Sequence, residues 1–497
     1  MSELPPVWRR VALAEVAEVR LGRQRSPKRA TGDRMRPYLR AANVTWRGLQ
    51  LADVKEMDFT EQESSTYELQ PGDLLLAEAS GSPGEVGKPA QFKGEIEGCC
   101  FQNTLLRVRL PQGLSPNFYE HFFREQALNG RFAAGSRGVG IHHLGAAALS
   151  KWQIPIPPSA EQERIVVAID EAFSKLEAGE SALRTVRQLL ERLRDAVLTA
   201  AVTGRLVSQD PSETPASKLL ASLGVSPVCG DALPPVPDGW SWAALGEGVG
   251  QTSITDGPFG SNLKTEHYTE AGPRVVRLQN IGDGVFRDAK AHISEENFQR
   301  LRKHEVVAGD VLIASLGEIL PRACIAPHWL GPAIVKADCI RVRPGGAFNG
   351  AFLMIALSSP MVRRGVSASI KGVGRPRLNL SEIRTLVLPV PPLFEQVRIV
   401  AEFERQTSFI AACERAVDAG LARSTVLRRS VLKAACEGHL VPQDRSDEPA
   451  SVLLERIRAE RPQRRNPSRY GREPNVSSRH TLDWRSTESA RSMEGET

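Results

Sequence analysis

The chain has 497 residues, 41% hydrophobic and 25% charged, which is the composition of an ordinary globular protein with room for three or four compact units. A net charge of +6 permits a polyanionic partner but does not establish one. The sequence contains no apolar run typical of a membrane span or a secretory signal, so we expect a cytoplasmic protein without membrane contact. The seven cysteines lack metal-ligand spacing, and we expect buried thiols, no metal and no cofactor.

The first predicted domain, residues 1–152, mixes strands and helices; we call it the first variable domain. Strand-like runs at Leu74–Leu76 and Thr104–Arg109 are separated by turn residues. Between Asn117 and Phe123 the aromatic residues have helical spacing, which predicts a helix that packs its aromatic face in the core. This mixture indicates an α+β domain.

The next segment, residues 153–207, predicts a helix of about 45 residues, or roughly 65 Å. We expect Ser159 to cap it in a capping box with Gln162, and Gly204 to end it. Apolar residues recur every seven positions in two series. The first series is Ile169, Leu176, Leu183, Leu190 and Val197, and the second is Ala172, Gly179, Val186, Leu193 and Ala200.

After a proline-rich linker at residues 208–239, the chain repeats itself at an offset of about 234 residues, the spacing of Pro157 from Pro391. The repeat predicts a second variable domain at residues 240–386, a second helical segment at 387–455 and a basic, disordered tail at 456–497. The second helix keeps the seam with Phe403, Ile410, Cys413, Val417, Leu427, Val431 and Ala434, and Gln406, Gly420 and Ser424 weaken it.

A helix with one apolar seam needs a partner, and the other copy supplies it. We expect the two helices to pack antiparallel, with the variable domains at opposite ends of a rod; the alternative is that each helix packs only on its own domain. The predicted fold class is α+β, with two pseudo-repeated α/β domains separated by two long antiparallel helices that form a coiled coil.

Catalytic motifs are not found in the sequence. There is no motif for base methylation and no dinucleotide-binding glycine fingerprint. The segment Gly81–Pro89 fails as a phosphate-binding loop, because Ser82 stands where a glycine is required and Pro89 replaces the Ser or Thr. These observations favour a non-catalytic protein.

The variable domains instead carry matched polar loops. Arg40–Val44 resembles Arg277–Ile281, and Gly138-Val139-Gly140 matches Gly372-Val373-Gly374. Glycine permits close backbone approach to DNA, while basic and amide side chains bind phosphates and base edges. The candidate DNA contacts are Arg40, Asn43, Lys88, Arg137, Gly138, His142 and His143 in the first domain, and Arg277, Asn280, Lys371, Gly372, Arg375, Arg377 and Asn379 in the second.

The chain resembles the specificity subunit of type I restriction-modification systems as far as about residue 455. The resemblance lies in Trp8…Leu13 and Trp240…Leu245, in the Gly-Asp strands and Gly loops, and above all in Pro157-Pro158…Glu161-Gln162…Arg164-Ile165 with its repeat. It implies two target-recognition domains, each reading half of a bipartite double-stranded DNA site.

The resemblance also implies partners. The helices would bind two modification (methyltransferase) subunits, which in turn permit the restriction subunits, ATP-dependent translocases and nucleases, to join. The corresponding partner-binding residues are Glu161, Gln162, Arg164, Glu395, Gln396 and Arg398. Two alternatives remain open: a single-chain methyltransferase or nuclease with an unrecognised motif, and a coiled-coil assembly scaffold that never touches DNA.

Overall fold

The computed structural model describes residues 4–26, 31–134, 140–230, 233–258, 260–369 and 376–460. They form two compact units, one of residues 4–169 with 432–460 and the other of residues 170–431. Five candidate residues, Arg137, Gly138, Lys371, Gly372 and Arg375, lie outside the described residues, as does the tail from residue 461. In the part of the chain that is described, no helix has the length and apolar character needed to cross a membrane.

The first variable domain is built on two small sheets. The larger sheet is antiparallel, in the order Glu18–Leu21, Leu105–Arg109, Leu74–Ala77, Pro89–Gln91, and the smaller has the order Cys100–Phe101, Met35–Leu39, Lys55–Asp58. Strand pairs are Arg9–Ala12 with Gln153–Ile156, Val44–Thr45 with Gly48–Leu49, and Ala79–Ser80 with His142–His143. The α-helices are Leu13–Val16, Glu61–Tyr67, Pro116–Leu128 and Ala146–Ser150, and the 3₁₀ turns are Ala41–Asn43 and Pro83–Glu85.

The second variable domain repeats this frame. Its antiparallel sheet has the order Ile254–Asp256, Cys339–Val342, Val311–Ala314, Arg322–Ile325, and its mixed sheet His292–Ile293, Tyr268–Val276, Ala333–Val335, Glu305–Val306. Ser241–Ala244 pairs with Val387–Val390. The α-helices are Leu245–Val249, Glu295–Arg300, Gly350–Ser358, Pro360–Ser369 and Leu380–Arg384, and the 3₁₀ turns are Gln251–Ser253, Gly260–Asn262, Thr265–His267, Leu278–Asn280, Arg302–His304 and His328–Leu330.

The predicted strands and the aromatic helix are confirmed with small changes in their bounds. The predicted strand Leu74–Leu76 runs to Ala77 and is buried on both faces, as its unbroken apolar sequence requires. The aromatic helix is longer than predicted, Pro116–Leu128, and Phe118, Tyr119 and Phe123 are buried. The matching order of strands in the two domains confirms that they are pseudo-repeats.

The Gly-Asp pair before each central strand has a structural role. Asp73 accepts a hydrogen bond from the backbone N–H of Gln70 and two from the Arg109 guanidinium, at 2.7 and 2.6 Å. In the second domain Asp310 bonds Arg343 in the same bidentate way at 3.0 and 3.1 Å, and these hydrogen bonds raise the pKa of Arg343. Because both aspartates are buried, each pair ties the central strand to its neighbour.

The two long helices are Ser159–Val202 and Leu393–Cys436, each of 44 residues. Gly204 and Gly438, both with positive φ, follow them, and the cap predicted at Gly204 is confirmed by the bond from Arg205 N–H to Ala200 O at 3.0 Å. The two segments after the long helices contain the short helices Ala216–Ser222 and Ala450–Glu460, so helical structure occurs inside the predicted linker and extends beyond residue 455.

The capping box predicted at Ser159 is wrong. The Ser159 hydroxyl donates to Gly113 O at 3.1 Å, and the side-chain oxygen of Gln162 accepts from Ser115 N–H at 2.7 Å. Both side chains therefore bond to the loop before the aromatic helix and not to the first turn of their own helix. Tertiary contact with the variable domain has replaced local capping.

Within the second unit the two long helices pack against each other antiparallel, as predicted. Arg187 pairs with Asp418 and Arg194 with Glu414, so residue numbers rise along one helix as they fall along the other. The apolar cluster between the helices contains the first heptad series, with Leu190, Val197, Ile410 and Val417 buried. The alternative, that each helix packs only on its own domain, is excluded.

The second heptad series behaves differently from the prediction. Val186, Leu193 and Leu427 are 40, 41 and 42% exposed, because a single antiparallel neighbour covers only a narrow line of each helix. Two residues predicted to weaken the seam fit it. A side chain at Gly420 would collide with Leu183, which packs there, and the Ser424 hydroxyl donates to a carboxylate oxygen of Glu180 at 2.6 Å.

Replacing Ile410 with alanine should lower the free energy of unfolding by about 2–5 kcal/mol, because this fully buried side chain fills the space between the helices. Phe409→Ala is the matched control: its side chain is 62% exposed on the same turn, and we expect a change within about 0.5 kcal/mol. Denaturant titration of both variants measures this. Equal losses for the two variants would contradict the observed packing.

Candidate functional site

Each long helix begins in a buried polar junction with its variable domain. In the first unit the Glu161 carboxylate accepts from the indole N–H of Trp8 at 2.9 Å and from the Gln443 amide at 2.5 Å. Arg164, one turn later, makes a bidentate ion pair with Asp447 at 3.1 and 2.5 Å. The segment after the helix Leu393–Cys436 therefore helps to hold the start of the helix Ser159–Val202 in place.

The second unit contains the same junction. Glu395 accepts from the Trp240 indole at 3.0 Å and from Gln209 at 2.8 Å, and Arg398 pairs with Glu213. Gln396 accepts from Asn349 N–H at 2.7 Å, as Gln162 accepts from Ser115 N–H. Burial raises the pKa of both Glu161 and Glu395, which makes each ionised carboxylate dependent on its two donors.

Removing one indole donor should destabilise its junction. Trp8→Phe and Trp240→Phe should each lower the free energy of unfolding by about 1–3 kcal/mol, since a buried carboxylate oxygen then loses its partner. Trp329→Phe, at an indole that is 57% exposed, is the control and should change little. Thermal or urea unfolding gives the comparison, and a loss at only one junction would contradict their equivalence.

Four of the six residues predicted to bind partner subunits are too deeply buried to do so. Glu161, Gln162, Glu395 and Gln396 have at most 1% of their surface exposed. A side chain without exposed surface cannot touch a second protein, so these residues position the start of the helix instead. Arg164 and Arg398 are partly exposed but are engaged in the ion pairs with Asp447 and Glu213.

Asn43 and Asn280 also need correction as DNA contacts. Both are buried, and both lie at the last position of a 3₁₀ turn that follows a strand. The Asn43 oxygen accepts from Arg40 N–H at 3.0 Å, and its amide donates to Gln50 O and Asp53 O. Asn280 makes the corresponding three bonds, so both N–H donors of each amide are used inside the domain, and burial keeps the side chains away from a base.

The arginines of these turns are more accessible. The Arg40 guanidinium bonds Asp53 at 2.5 Å, and Lys55 bonds the same carboxylate at 2.6 Å. The Arg277 guanidinium donates to Lys290 O at 3.0 Å. Each arginine therefore stands at the end of its strand, as predicted, beside an exposed loop that Asn43 or Asn280 holds in place.

The remaining described candidates also have partners within their own domains. Lys88 pairs with Glu85 and lies over the Trp46 ring, so its charge is partly engaged within the domain. The strand His142–His143 follows the first Gly loop, and His143 contacts Glu78 at 3.2 Å. After the second loop, Arg377 pairs with Asp338 at 2.7 Å, and Asn379 caps the helix Leu380–Arg384.

The described residues were also compared with the predictions of no metal site and of buried thiols. No group of three or more His, Cys, Asp or Glu side chains in the described ranges could hold a metal ion. Burial raises the pKa of Cys99, Cys100 and Cys324 to about 12, which keeps these thiols protonated. The prediction of buried cysteines holds for these and for Cys339, whereas Cys229 is exposed.

The same frame, with an Arg…Asn turn at the end of a strand, therefore occurs in both variable domains. The chain is similar to known proteins of one kind. The model of the type I restriction modification DNA specificity domain matches residues 5–183. The EcoBI specificity subunit of Escherichia coli is 29% identical over 412 residues, which cover 80% of this chain and 81% of that protein. For the EcoKI specificity subunit of Escherichia coli (strain K12) the identity is 25% over 409 residues, with 80 and 82% covered.

Solved structures show the same fold. A chain from a structural study of complex assembly and conformational transition of the type I R-M system gives a TM-score of 0.60 at 19% identity, covering 88% of this chain and 100% of that one. The HsdS subunit from Thermoanaerobacter tengcongensis gives 0.55 at 20% identity, with 88 and 98% covered. Over most of its length the chain is thus similar to specificity subunits of type I restriction enzymes, and residues 5–183 match their DNA specificity domain.

Proposed function

We propose that this chain is the non-catalytic specificity subunit of a type I restriction-modification complex. Each variable domain is a target-recognition domain that reads one half of a bipartite double-stranded DNA site. The observation that carries the proposal is the repeated frame: the two domains share their sheets and their helix junctions, while the groups that surround Arg40 and Arg277 at the strand ends differ. Two similar supports with unlike surfaces suit a target with two unlike halves.

The long helices would dock two modification subunits. Supporting this, Val186, Leu189 and Leu193 leave an apolar stripe exposed at helical spacing on the first helix, and Val426 and Leu427 are exposed on the second. Restriction subunits would then join the complex through the modification subunits. A complex that modifies host DNA would act in the cytoplasm.

Reconstitution tests the proposal. Modification subunits with S-adenosylmethionine should methylate DNA at a defined sequence only when this chain is added, and the chain alone should neither methylate DNA nor cut it with magnesium. Activity of the chain alone would favour the single-chain enzyme. If the assembled complex gave no salt-dependent, sequence-selective binding of duplex DNA, the scaffold alternative would stand.

A further inference from the structure

A polar pocket of about 580 Å³ opens in the first variable domain, beside the end of the strand Met35–Leu39. Its polar lining is Arg25, Tyr38, Arg40, Lys55, Glu56, Gln102 and Thr104. Three of these side chains are cationic, and Asp53 bridges two of them, Arg40 and Lys55. Cations around an open pocket suit an approach to the DNA backbone, with the neutral Gln102 left to contact a base edge.

The backbone around Gln102 is fixed on both sides. Its N–H donates to Leu39 O at 2.9 Å, and its carbonyl accepts from Leu105 N–H at 2.9 Å. Thr104 completes the wall by accepting from Ala41 N–H at 3.0 Å. Gln102 therefore presents its amide from a rigid position between the two sheets of the domain.

The second variable domain has a lysine at the equivalent place. Lys336 N–H donates to Val276 O at 2.8 Å, and its carbonyl accepts from Cys339 N–H at 3.0 Å, which are the bonds that Gln102 makes to Leu39 and Leu105. The ammonium group of Lys336 lies 5.4 Å from the centre of the Tyr268 ring. The frame is thus the same in both domains, and the side chain it presents is different.

The next positions diverge as well. Thr104 O accepts from Glu78 N–H at 2.9 Å, and Asp338 O accepts from Ser315 N–H at 3.0 Å, so Asp338 takes the place of Thr104. The carboxylate of Asp338 pairs with Arg377. The neutral residues Gln102 and Thr104 of the first domain are therefore replaced by the charged residues Lys336 and Asp338 in the second. This replacement changes the pattern of hydrogen-bond donors and acceptors offered to a base.

We propose that Gln102 and Lys336 are equivalent specificity-determining residues, the first selecting adenine and the second guanine at corresponding positions of the two half-sites. A glutamine amide matches the N6 donor and N7 acceptor of adenine, whereas a lysine donates to O6 and N7 of guanine. The inference rests on the proposed function, and it gives that function a named side chain in each domain.

The test uses the full chain assembled with modification subunits and a DNA library in which both half-sites are randomised. Gln102→Lys should shift one position of one half-site from adenine towards guanine by roughly 5- to 150-fold, and leave the other half-site unchanged. Lys336→Gln should make the reverse change in the other half-site. Gln62→Lys adds the same charge at an exposed position of the first domain and should change no base preference.

The possible outcomes distinguish failure of the proposed function from failure of the assignment of Gln102. If the wild-type chain directs no methylation, the proposed function fails. If it does and Gln102→Lys keeps the wild-type motif, or weakens all sequences equally as a phosphate contact would, the assignment of Gln102 is overturned. Gln102→Ala covers the case in which the lysine impairs folding: it should relax the preference at one position, and an unrelaxed motif would also overturn the assignment.

Discussion

Exchanging Arg9–Ile156 for the corresponding segment of another specificity subunit should replace one half of the recognised DNA sequence and leave the other half intact. The boundaries follow from the pairing of Arg9–Ala12 with Gln153–Ile156, which closes the first variable domain on itself. Trp8 and Glu161 remain outside the exchange, so their hydrogen bond at the start of the long helix is retained. Methylation of a randomised DNA library would report both halves at once.

The control is the reciprocal exchange of Ser241–Val390, whose terminal strands pair in the same way. It should alter the other half-site. A change in both halves after either exchange would overturn the modular account, because it would mean that the two domains read DNA jointly. Retention of the original sequence would place recognition outside the exchanged segment.

Lengthening both long helices by seven residues should lengthen the preferred gap between the half-sites. Seven residues add about 10 Å of helix, close to the length of three base pairs of B-DNA. Insertions after Arg187 and after Leu421 lie at equivalent positions of the repeat, and they lie near the pairing of Arg187 with Asp418. Seven residues also make almost two helical turns, so the apolar seam stays on the same face of each helix and rotates by only about 20°.

The matched control places the insertion in one helix alone. That change should put Ile410 and Val417 out of register with the first helix, and we expect loss of stability without a new gap length. Selection from a library with variable gaps measures the outcome. An unchanged gap after the double insertion, in a complex that still methylates, would contradict the expectation that the length of the two helices sets the gap between the half-sites.

The repeat made most of the architecture predictable. Matching residues at a fixed offset predicted two domains with one frame, and the heptad spacing predicted long helices that pair antiparallel. The exposure of Val186 and Leu193 could not be predicted in the same way, because apolar spacing does not distinguish a residue buried within the chain from one left for a partner. The capping box at Ser159 failed because a local motif competed with a tertiary bond to Gly113.

The site was predicted less well, for a related reason. Asn43 and Asn280 were chosen as polar groups at strand ends, yet a short turn there leaves backbone carbonyl groups that a buried amide satisfies. The placement of Gln102, which we propose as a specificity-determining residue, could not be predicted, because it lies 62 residues from Arg40 in the sequence and meets it only through the pairing of Cys100–Phe101 with Tyr38–Leu39. The sequence offers one signal for it: at the repeat offset of 234 residues Gln102 aligns with Lys336, and the sequences around these two residues are similar.

A map of methylated bases in host DNA, with and without this chain and in cells that supply the modification subunits, would test the proposed function directly. We expect a bipartite motif with two unlike halves at one fixed gap, present only when the chain is expressed. The same motif in cells lacking the chain, or a single uninterrupted motif in its presence, would contradict it.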